Sequence, residues 1–380
     1  MKTRICVITS ARSDYGPLRW TMRSLKEDSS FDFKLIVTGS HLSPEYGFTY
    51  RDIEKDGFEA DSKVEMLLSS DSSTAIAKSM GLCTIGLVDA LERINPDCVL
   101  VLGDRYELLS ICSTALVMRI PIVHISGGDV TKGAVDNEIR NAVSQMADLH
   151  FPCTAASAKR LMQMGICEDR IEIVGEPGLD NFRKLMLLNR EEIATDLDLD
   201  PQRKWVLLTY HPETKIETAE NMRILQDLID IIVTETDAQV IATYANADEG
   251  GHSINDYLEM ATSMRPDRLK VFKSLGQVRY LSLMKESAMV AGNSSSGIVE
   301  APFLGVPVLN IGSRQEGRYL CKNVRSVSSK KEEMRQAIAD FRKSSFKRFE
   351  PDMYYGDGYT AERITTSLKH RYGRLSQLVC

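Results

Sequence analysis

This 380-residue chain has no C-x-x-C pair and no H-E-x-x-H pattern. Its eight cysteines, at 6, 83, 98, 112, 153, 167, 321 and 380, are scattered, several inside apolar runs. They read as reduced, mostly buried thiols rather than a disulfide framework or a zinc site. The six histidines show no metal spacing, so no metal is expected. Also missing are G-x-G-x-x-G, the Walker A sequence and the G-x-S-x-G elbow. Their absence argues against a Rossmann dehydrogenase, a P-loop kinase and an α/β-hydrolase. A net charge of −6 gives no strongly basic face for nucleic acid. The longest apolar runs read as too short to span a bilayer. Met1-Lys2-Thr3-Arg4 leads straight into strand-like Ile5-Cys6-Val7-Ile8, without a signal-peptide pattern. The expected setting is therefore the cytoplasm, with no cofactor, nucleic acid or membrane partner.

What remains is an ordinary globular composition, 43% hydrophobic and 26% charged, at a length that suits two or three domains. Short apolar runs alternate with helical patterns. The first series predicts strands at 4–9, 33–38, 98–102, 120–125, 149–151 and 171–174, with helices at 74–94, 107–118, 137–147 and 155–164. After a polar stretch at 189–204, a second series predicts strands at 205–210, 239–244, 269–271, 288–291 and 308–311, with a helix at 218–234. Runs buried on both faces and joined by helices imply parallel sheets. The fold class is α/β, two doubly wound Rossmann-like domains facing a cleft. Residues 1–185 form the first, 186–354 the second, and a C-terminal helix within 355–380 is expected to join the first.

Polar clusters fall just after the predicted strands, where doubly wound sheets bind ligands. Gly292-Asn293-Ser294-Ser295-Ser296-Gly297 joins an apolar run to a helix start. Helix N-termini suit phosphate, and three hydroxyls add donors. The plainer reading is a serine N-cap. Glu300 follows, placed to accept from a sugar hydroxyl. Arg12, after the first strand, and Arg314 and Arg318, after the last, suit a diphosphate; the plainer reading is solvated loop arginine. His211 closes a strand ahead of Pro212 and Glu213, and reads as functional. Asn246 lies in a polar turn after the next strand. Asp104, Arg105 and Glu107 crowd one strand end, where Asp104 alone would read as an N-cap. Asp129 follows Gly127-Gly128, and Asp136 and Glu138 open a helix whose dipole favours acids anyway. His124 sits inside a strand and reads as a core residue. Acids in the first half and a phosphate turn in the second suit an enzyme acting on a nucleotide-sugar.

Gly103-Asp104-Arg105-Tyr106-Glu107, His124-Ile125-Ser126-Gly127-Gly128-Asp129, the 292–297 turn with Glu300-Ala301-Pro302, and Gly312-Ser313-Arg314-Gln315 occur in order. Together they resemble the hydrolysing UDP-N-acetylglucosamine 2-epimerase family of sialic and nonulosonic acid synthesis. The resemblance runs from Arg12 to Arg318. It implies the glycosyltransferase-B fold and a homodimer or higher homo-oligomer. It also implies a reaction: elimination of UDP to a 2-acetamidoglycal, then hydration to UDP and a free N-acetylmannosamine-type sugar. By this resemblance Asp104, Asp129, Asp136, His211 and Glu107 are the catalytic candidates. Arg12, Arg105, Asn246, Ser294, Ser295, Ser296, Gly297, Glu300 and Arg314 would contact the UDP-sugar. No cofactor is implied.

One position departs from the family. Many relatives carry a glutamate directly after His-Ile, where this chain has Ser126. Asp129 or Glu107 would take over, or Ser126 accommodates another sugar, such as a UDP-2,4-diacetamido-6-deoxy sugar, or a GDP-linked donor on a legionaminic acid route. The non-hydrolysing 2-epimerase and a glycosyltransferase of the same fold are the competing readings. Ser126 and His211-Pro212-Glu213 favour the hydrolysing branch.

Overall fold

The computed structural model describes residues 2–70, 72–131, 135–213, 215–245 and 250–375, with side chains to 371. The chain falls into two compact units. One comprises Met1–Asp129, Asp136–Lys184 and Tyr355–Cys380; the other comprises Val130–Val135 and Leu185–Tyr354.

The first unit holds β1 (Thr3–Thr9), β2 (Phe31–Thr38), β3 (Ser62–Val64), β4 (Cys98–Leu102), β5 (Ile122–Ile125) and β6 (Leu149–Phe151). They form one parallel sheet in the order β3-β2-β1-β4-β5-β6. Alternation along β1 explains why the sheet is covered on both faces. Ile5 and Val7 point into one apolar layer with Leu18, Met22, Ile364 and Leu368. Cys6 and Ile8 point into the other, with Leu87, Leu91, Ile111 and Val143. Helices Arg12–Glu27 and Thr360–Leu375 supply the first layer, and Ser73–Ile94, Glu107–Val117 and Asp136–Met146 the second. Each fully buried Leu or Ile contributes about 1.5–3 kcal/mol of transfer free energy, so both layers favour this stacking.

The second unit repeats the plan with β7 (Trp205–Thr209), β8 (Gln239–Thr243), β9 (Leu269–Phe272), β10 (Met289–Gly292), β11 (Val308–Ile311) and β12 (Val324–Val327). Their order is β12-β11-β10-β7-β8-β9, again all parallel. Val206 and Leu208 pack against Ile224, Leu228 and Ile232, while Trp205 and Leu207 face Ile193, Leu283 and Ala301. In each unit the strand order reverses next to the first strand, between β1 and β4 and between β7 and β10. Such reversals open a crevice at the carboxyl ends. The expected pair of doubly wound α/β sheets is what the chain forms.

Four local expectations need correction. The 171–174 segment is not a strand: it makes a single bridge, His150 to Ile171, with Glu172 and Val174 donating to the His150 and Pro152 carbonyls. The left-handed Gly175 (φ +90°) then turns the chain away. The short strands β3 and β12 lie outside the expected set. Arg12 lies in a helix rather than a loop, because the Asp14 carboxylate accepts from the Ser10 and Ala11 amides and closes the helix start at once. The helix Ser73–Ile94 is long and apolar enough to cross a membrane, contrary to the sequence expectation. Here one of its faces is packed in the core of the first sheet through Cys83, Leu87, Ala90 and Leu91.

Candidate functional site

In the first unit, β1, β4 and β5 deliver their following residues to the carboxyl edge of one sheet. Asp104, after β4, forms an ion pair with Arg140. Arg140 comes from the helix Asp136–Met146 and is 1% exposed. The same guanidinium donates to the Asp129 carbonyl at 2.9 Å, so one buried arginine ties two strand ends together. The Asp129 carboxylate accepts from the Ser157 hydroxyl, and Arg160 donates to the Gly128 carbonyl at 2.6 Å. Gly128 (φ +79°) is required there: a Cβ would stand 2.3 Å from the Ser157 carbonyl oxygen. Asp136 is half-buried at the first position of its helix, where the dipole favours a carboxylate. Arg12 occupies the first helical position after β1, and burial pulls its guanidinium below the ordinary arginine range.

Glu107 has a different place. It is fully enclosed, burial raises its carboxyl, and Arg105 opposes that rise through contacts of 3.1 and 3.2 Å. Its position is beneath the strand end, bracing Arg105. His124 is also fully buried; its Nε2–H donates to the Gly103 carbonyl at 2.8 Å. Desolvation pushes its pKa down to about 4, so the imidazole is neutral and fixes the backbone just before Asp104.

In the second unit the hub is Asn293, which is 0% exposed. Its Oδ1 accepts from the His211 amide and its Nδ2 donates to the His211 carbonyl, both at 2.8 Å. Its own carbonyl accepts from Gln315 at 2.8 Å and Arg314 at 3.3 Å. The ends of β7, β10 and β11 are thereby joined. Ser294 is the N-cap of the helix Ser295–Phe303, accepting from the Ser296 amide. Ser295 is exposed, whereas Ser296 is buried with its hydroxyl linked to Ser294 at 3.0 Å and to Tyr280 at 2.6 Å. Gly297 is buried in the first turn and Glu300 is half-buried further along the helix. Glu213, 3% exposed, clamps the 312–313 loop by accepting from the Ser313 amide and hydroxyl at 3.0 and 2.7 Å. Asn246 lies outside the described residues.

Comparison with known proteins places this geometry. Residues 23–369 match the family model described as UDP-N-acetylglucosamine 2-epimerase. The chain belongs to the UDP-N-acetylglucosamine 2-epimerase family. It is 37% identical over 347 residues to a GDP/UDP-N,N'-diacetylbacillosamine 2-epimerase (hydrolyzing) of Campylobacter jejuni, covering 91% of this chain and 89% of that protein. It is 32% identical to a UDP-N,N'-diacetylbacillosamine 2-epimerase (hydrolyzing) of Legionella pneumophila, covering 97% and 96%. Among solved structures it is similar to a UDP-GlcNAc 2-epimerase from Neisseria meningitidis bound to UDP-GlcNAc, with a TM-score of 0.80 at 18% identity, covering 96% and 99%. That likeness is one of fold, and it matches the two six-stranded parallel sheets. The resemblance read from the sequence motifs is thus borne out at the level of the 2-epimerase family.

Sequence reasoning leaves three residues of these strand ends without a role. Arg140 is visible as the helical Arg after Asp136. Its signal is a charge on the buried face of a helix otherwise lined by Ile139, Val143 and Ser144. Asn293 stands inside the serine turn, where the neighbouring hydroxyls are the more obvious donors. Glu176, whose Oε2 accepts from the Cys153 thiol at 2.9 Å beyond the end of β6, gives no signal beyond lying between Gly175 and Pro177.

Proposed function

We propose that this chain is a hydrolysing 2-epimerase of a nucleoside-diphosphate-linked 2-acetamido sugar. The observation that carries this reading is the 37% identity, across 91% of the chain, to a relative named as hydrolysing. In the reaction a base takes the C2 proton, the C2–H electron pair becomes the C1=C2 bond, and the C1–O pair leaves with the diphosphate. Water then adds to C1 of the 2-acetamidoglycal and a proton to the opposite face of C2. The products are a nucleoside diphosphate and the free sugar inverted at C2.

The second unit's residues have the chemistry to hold the diphosphate. Ser294 and Ser295 present hydroxyls and amides at a helix N-terminus, Gly297 lets that helix lie close on Val308 and Val290, where a Cβ would stand 3.1 and 3.8 Å from their side chains, Arg314 adds charge and Glu300 accepts from the ribose. Ser296 supports them through Tyr280. Asn293 sets His211 toward the leaving diphosphate, and Asn246 is assigned to the substrate by motif alone. In the first unit Asp104, Asp129 and Asp136 are assigned to the acid–base chemistry on the sugar, a proton transfer of this kind being worth roughly 10²–10⁴-fold. Arg12 and Arg105 add cationic contacts, and Glu107 braces Arg105.

Two relatives named for N,N'-diacetylbacillosamine favour a 2,4-diacetamido-6-deoxy sugar beside N-acetylglucosamine itself. The deciding experiment incubates the purified protein in deuterated water with UDP- and GDP-linked forms of both sugars. The product should be nucleoside diphosphate plus free sugar carrying one deuterium at C2. An equilibrium of two intact nucleotide-sugars would instead mark the non-hydrolysing reaction, and release of no diphosphate from any donor would end the proposal.

The same reading includes a homodimer. Leu82, Ile85 and Val88 form an exposed apolar stripe on the helix Ser73–Ile94, at 43%, 69% and 41% exposure. Their i, i+3, i+6 spacing puts them on one side of the helix, a surface suited to a second copy.

A further inference from the structure

At the carboxyl ends of β5 and β6, three side chains meet in a closed triangle. The Cys153 thiol donates to Glu176 Oε2 at 2.9 Å. The Ser126 hydroxyl lies 3.3 Å from the same sulfur and 3.5 Å from the same carboxylate oxygen, the outer limit of a hydrogen bond. Ser126 and Cys153 closely follow strand ends, Ser126 directly after Ile125 of β5 and Cys153 two residues after Phe151 of β6. Glu176 arrives from a separate segment. Its amide donates to the Tyr355 carbonyl at 2.8 Å, and Gly175 crosses Gly356 so closely that a Cβ on Gly175 would lie 3.3 Å from the Gly356 Cα. The backbone that carries Glu176 is therefore pinned, and its side chain is delivered to the strand ends.

Two further features mark this corner. Ser126 is buried and holds φ at +63°, a left-handed conformation that a serine adopts only when the surroundings impose it. That kink is what turns its hydroxyl from the β5 end toward Cys153 and Glu176. Asp129, three residues on, lies close enough for its charge to act on the same thiol, as that of Glu176 does. Two carboxylates thus flank one protonated thiol at a sheet edge where Asp104 is the third acid. Asp104 is committed to the Arg140 guanidinium through an ion pair. The Cys153 thiol and the Ser126 hydroxyl both point at Glu176 Oε2 and fix the direction of that carboxylate.

We infer that Glu176 is a further catalytic residue, the base that takes the C2 proton of the sugar in the elimination step, oriented by Cys153 and Ser126. The inference rests on the 2-epimerase reading. In the step, the Glu176 carboxylate gains the C2 proton, the C2–H electrons form the C1=C2 bond, and the C1–O electrons depart with the diphosphate. Hydration later returns a proton to C2 from the opposite face. No oxidant, reductant or further reactant is needed. Cys153 keeps its proton throughout and acts as a positioning residue.

The test follows nucleoside diphosphate release by the full-length protein as wild type, Glu176→Gln and Glu176→Asp. E176Q is expected to lower kcat about 10²–10⁴-fold, the usual contribution of a general base, with KM nearly unchanged and the melting temperature of the wild type. The acid limb of the kcat–pH profile disappears in E176Q. In E176D, which keeps the carboxylate but withdraws it by one methylene, the limb persists at a shifted pH. If E176Q does not fold, the limb in E176D decides by itself: shifted supports the inference, unmoved overturns it. The inference is also overturned if E176Q keeps nearly full kcat, or if its loss falls on KM or melting temperature while the acid limb stays. A wild-type protein that releases no diphosphate fails the 2-epimerase reading. An active wild type indifferent to position 176 fails this inference alone.

Discussion

His211 and Asn293 grip each other through two hydrogen bonds of 2.8 Å, amide to Oδ1 and Nδ2 to carbonyl, across 82 positions of sequence. One side chain thereby sets the backbone of the strand-end histidine, while its own carbonyl receives Gln315 and Arg314. Asn293→Ala leaves the His211 amide and carbonyl without these partners in a buried setting. At roughly 1–3 kcal/mol for each stranded group, a loss of about 2–6 kcal/mol in urea unfolding is expected. KM for the nucleotide-sugar should rise with it, since the His211 and Arg314 segments are no longer held. A variant of wild-type stability would show that the hub carries nothing.

Arg140 and Asp104 offer a second test, by a double-mutant cycle. Each is the charged partner of the other, and Arg140 is almost wholly buried. Arg140→Met strands the Asp104 carboxylate and also drops the Asp129 carbonyl. A cost of about 3–5 kcal/mol is typical when one partner of a buried pair is removed. Asp104→Asn added to it should recover part of the loss, because the stranded charge is gone. Activity should be lost in all three variants. Additive unfolding energies would mean that the two groups do not interact.

The parallel, doubly wound sheets, and with them the strand-end location of both clusters, were legible in the sequence because runs such as Cys98–Leu102 are apolar without alternation. That pattern fits only a sheet covered on both faces. What was not legible were contacts made across sequence distance. Ser126 stands out on the chain as a departure, with Asp129 or Glu107 expected to supply the acid there. The structure also brings Glu176 to it, from 50 positions away, through a glycine crossing that no local pattern encodes. Glu107 looks equivalent to Asp104 on the chain because both follow β4. One opens a helix underneath the sheet edge and is enclosed; the other stays part-exposed. Helix phase separates them, and three residues of sequence are too few to fix it.

Gly292 is where backbone freedom can be separated from close approach. Its φ is +124°, and a Cβ would stand 2.1 Å from the Thr209 carbonyl oxygen in the neighbouring strand. Gly276 also has positive φ, +64°, but nothing lies within 4 Å of its Cβ position. Gly276→Ala should therefore cost only the conformational strain, about 1–2 kcal/mol. Gly292→Ala adds a backbone clash and should cost about 3 kcal/mol or more, by chemical denaturation. Equal costs at the two sites would contradict the close approach of β10 to β7.

The buried imidazoles predict a pH dependence of stability. Burial pushes the pKa of His124 down to about 4, and that of His150 likewise, from an unfolded value of 6.5. Between those values the unfolded chain binds more protons than the folded one, so stability rises with pH there. The stability is fully present above pH 6.5 and is lost as pH falls through the folded value. For one such group the loss is about 3 kcal/mol at 1.36 kcal/mol per unit. Urea unfolding at about pH 7, 6 and 5 should show the decline. His124→Gln, which keeps an N–H for the Gly103 carbonyl but cannot titrate, should make the decline shallower, with the His150 share remaining. An unchanged slope in that variant would place the titration elsewhere.

Ile85 is 69% exposed in the middle of the apolar stripe on the helix Ser73–Ile94, while Cys83 and Leu87 on either side of it are buried in the core. The helix is thus apolar on two faces, and the sheet consumes only one of them. A helix that is hydrophobic beyond its core-facing stripe calls for a second burial partner. If that partner is another copy, twofold symmetry sets Ile85 against the same helix of its mate. Ile85→Glu would place two like charges at that contact. The expected result is a monomer by light scattering where the wild type is a dimer, with circular dichroism and melting of the isolated fold retained. Since Leu82 and Val88 flank it at one-turn spacing, Leu82→Glu should act in the same direction. A wild type that is already monomeric at micromolar concentration, or an Ile85→Glu protein that stays dimeric, assigns the stripe to something other than self-association.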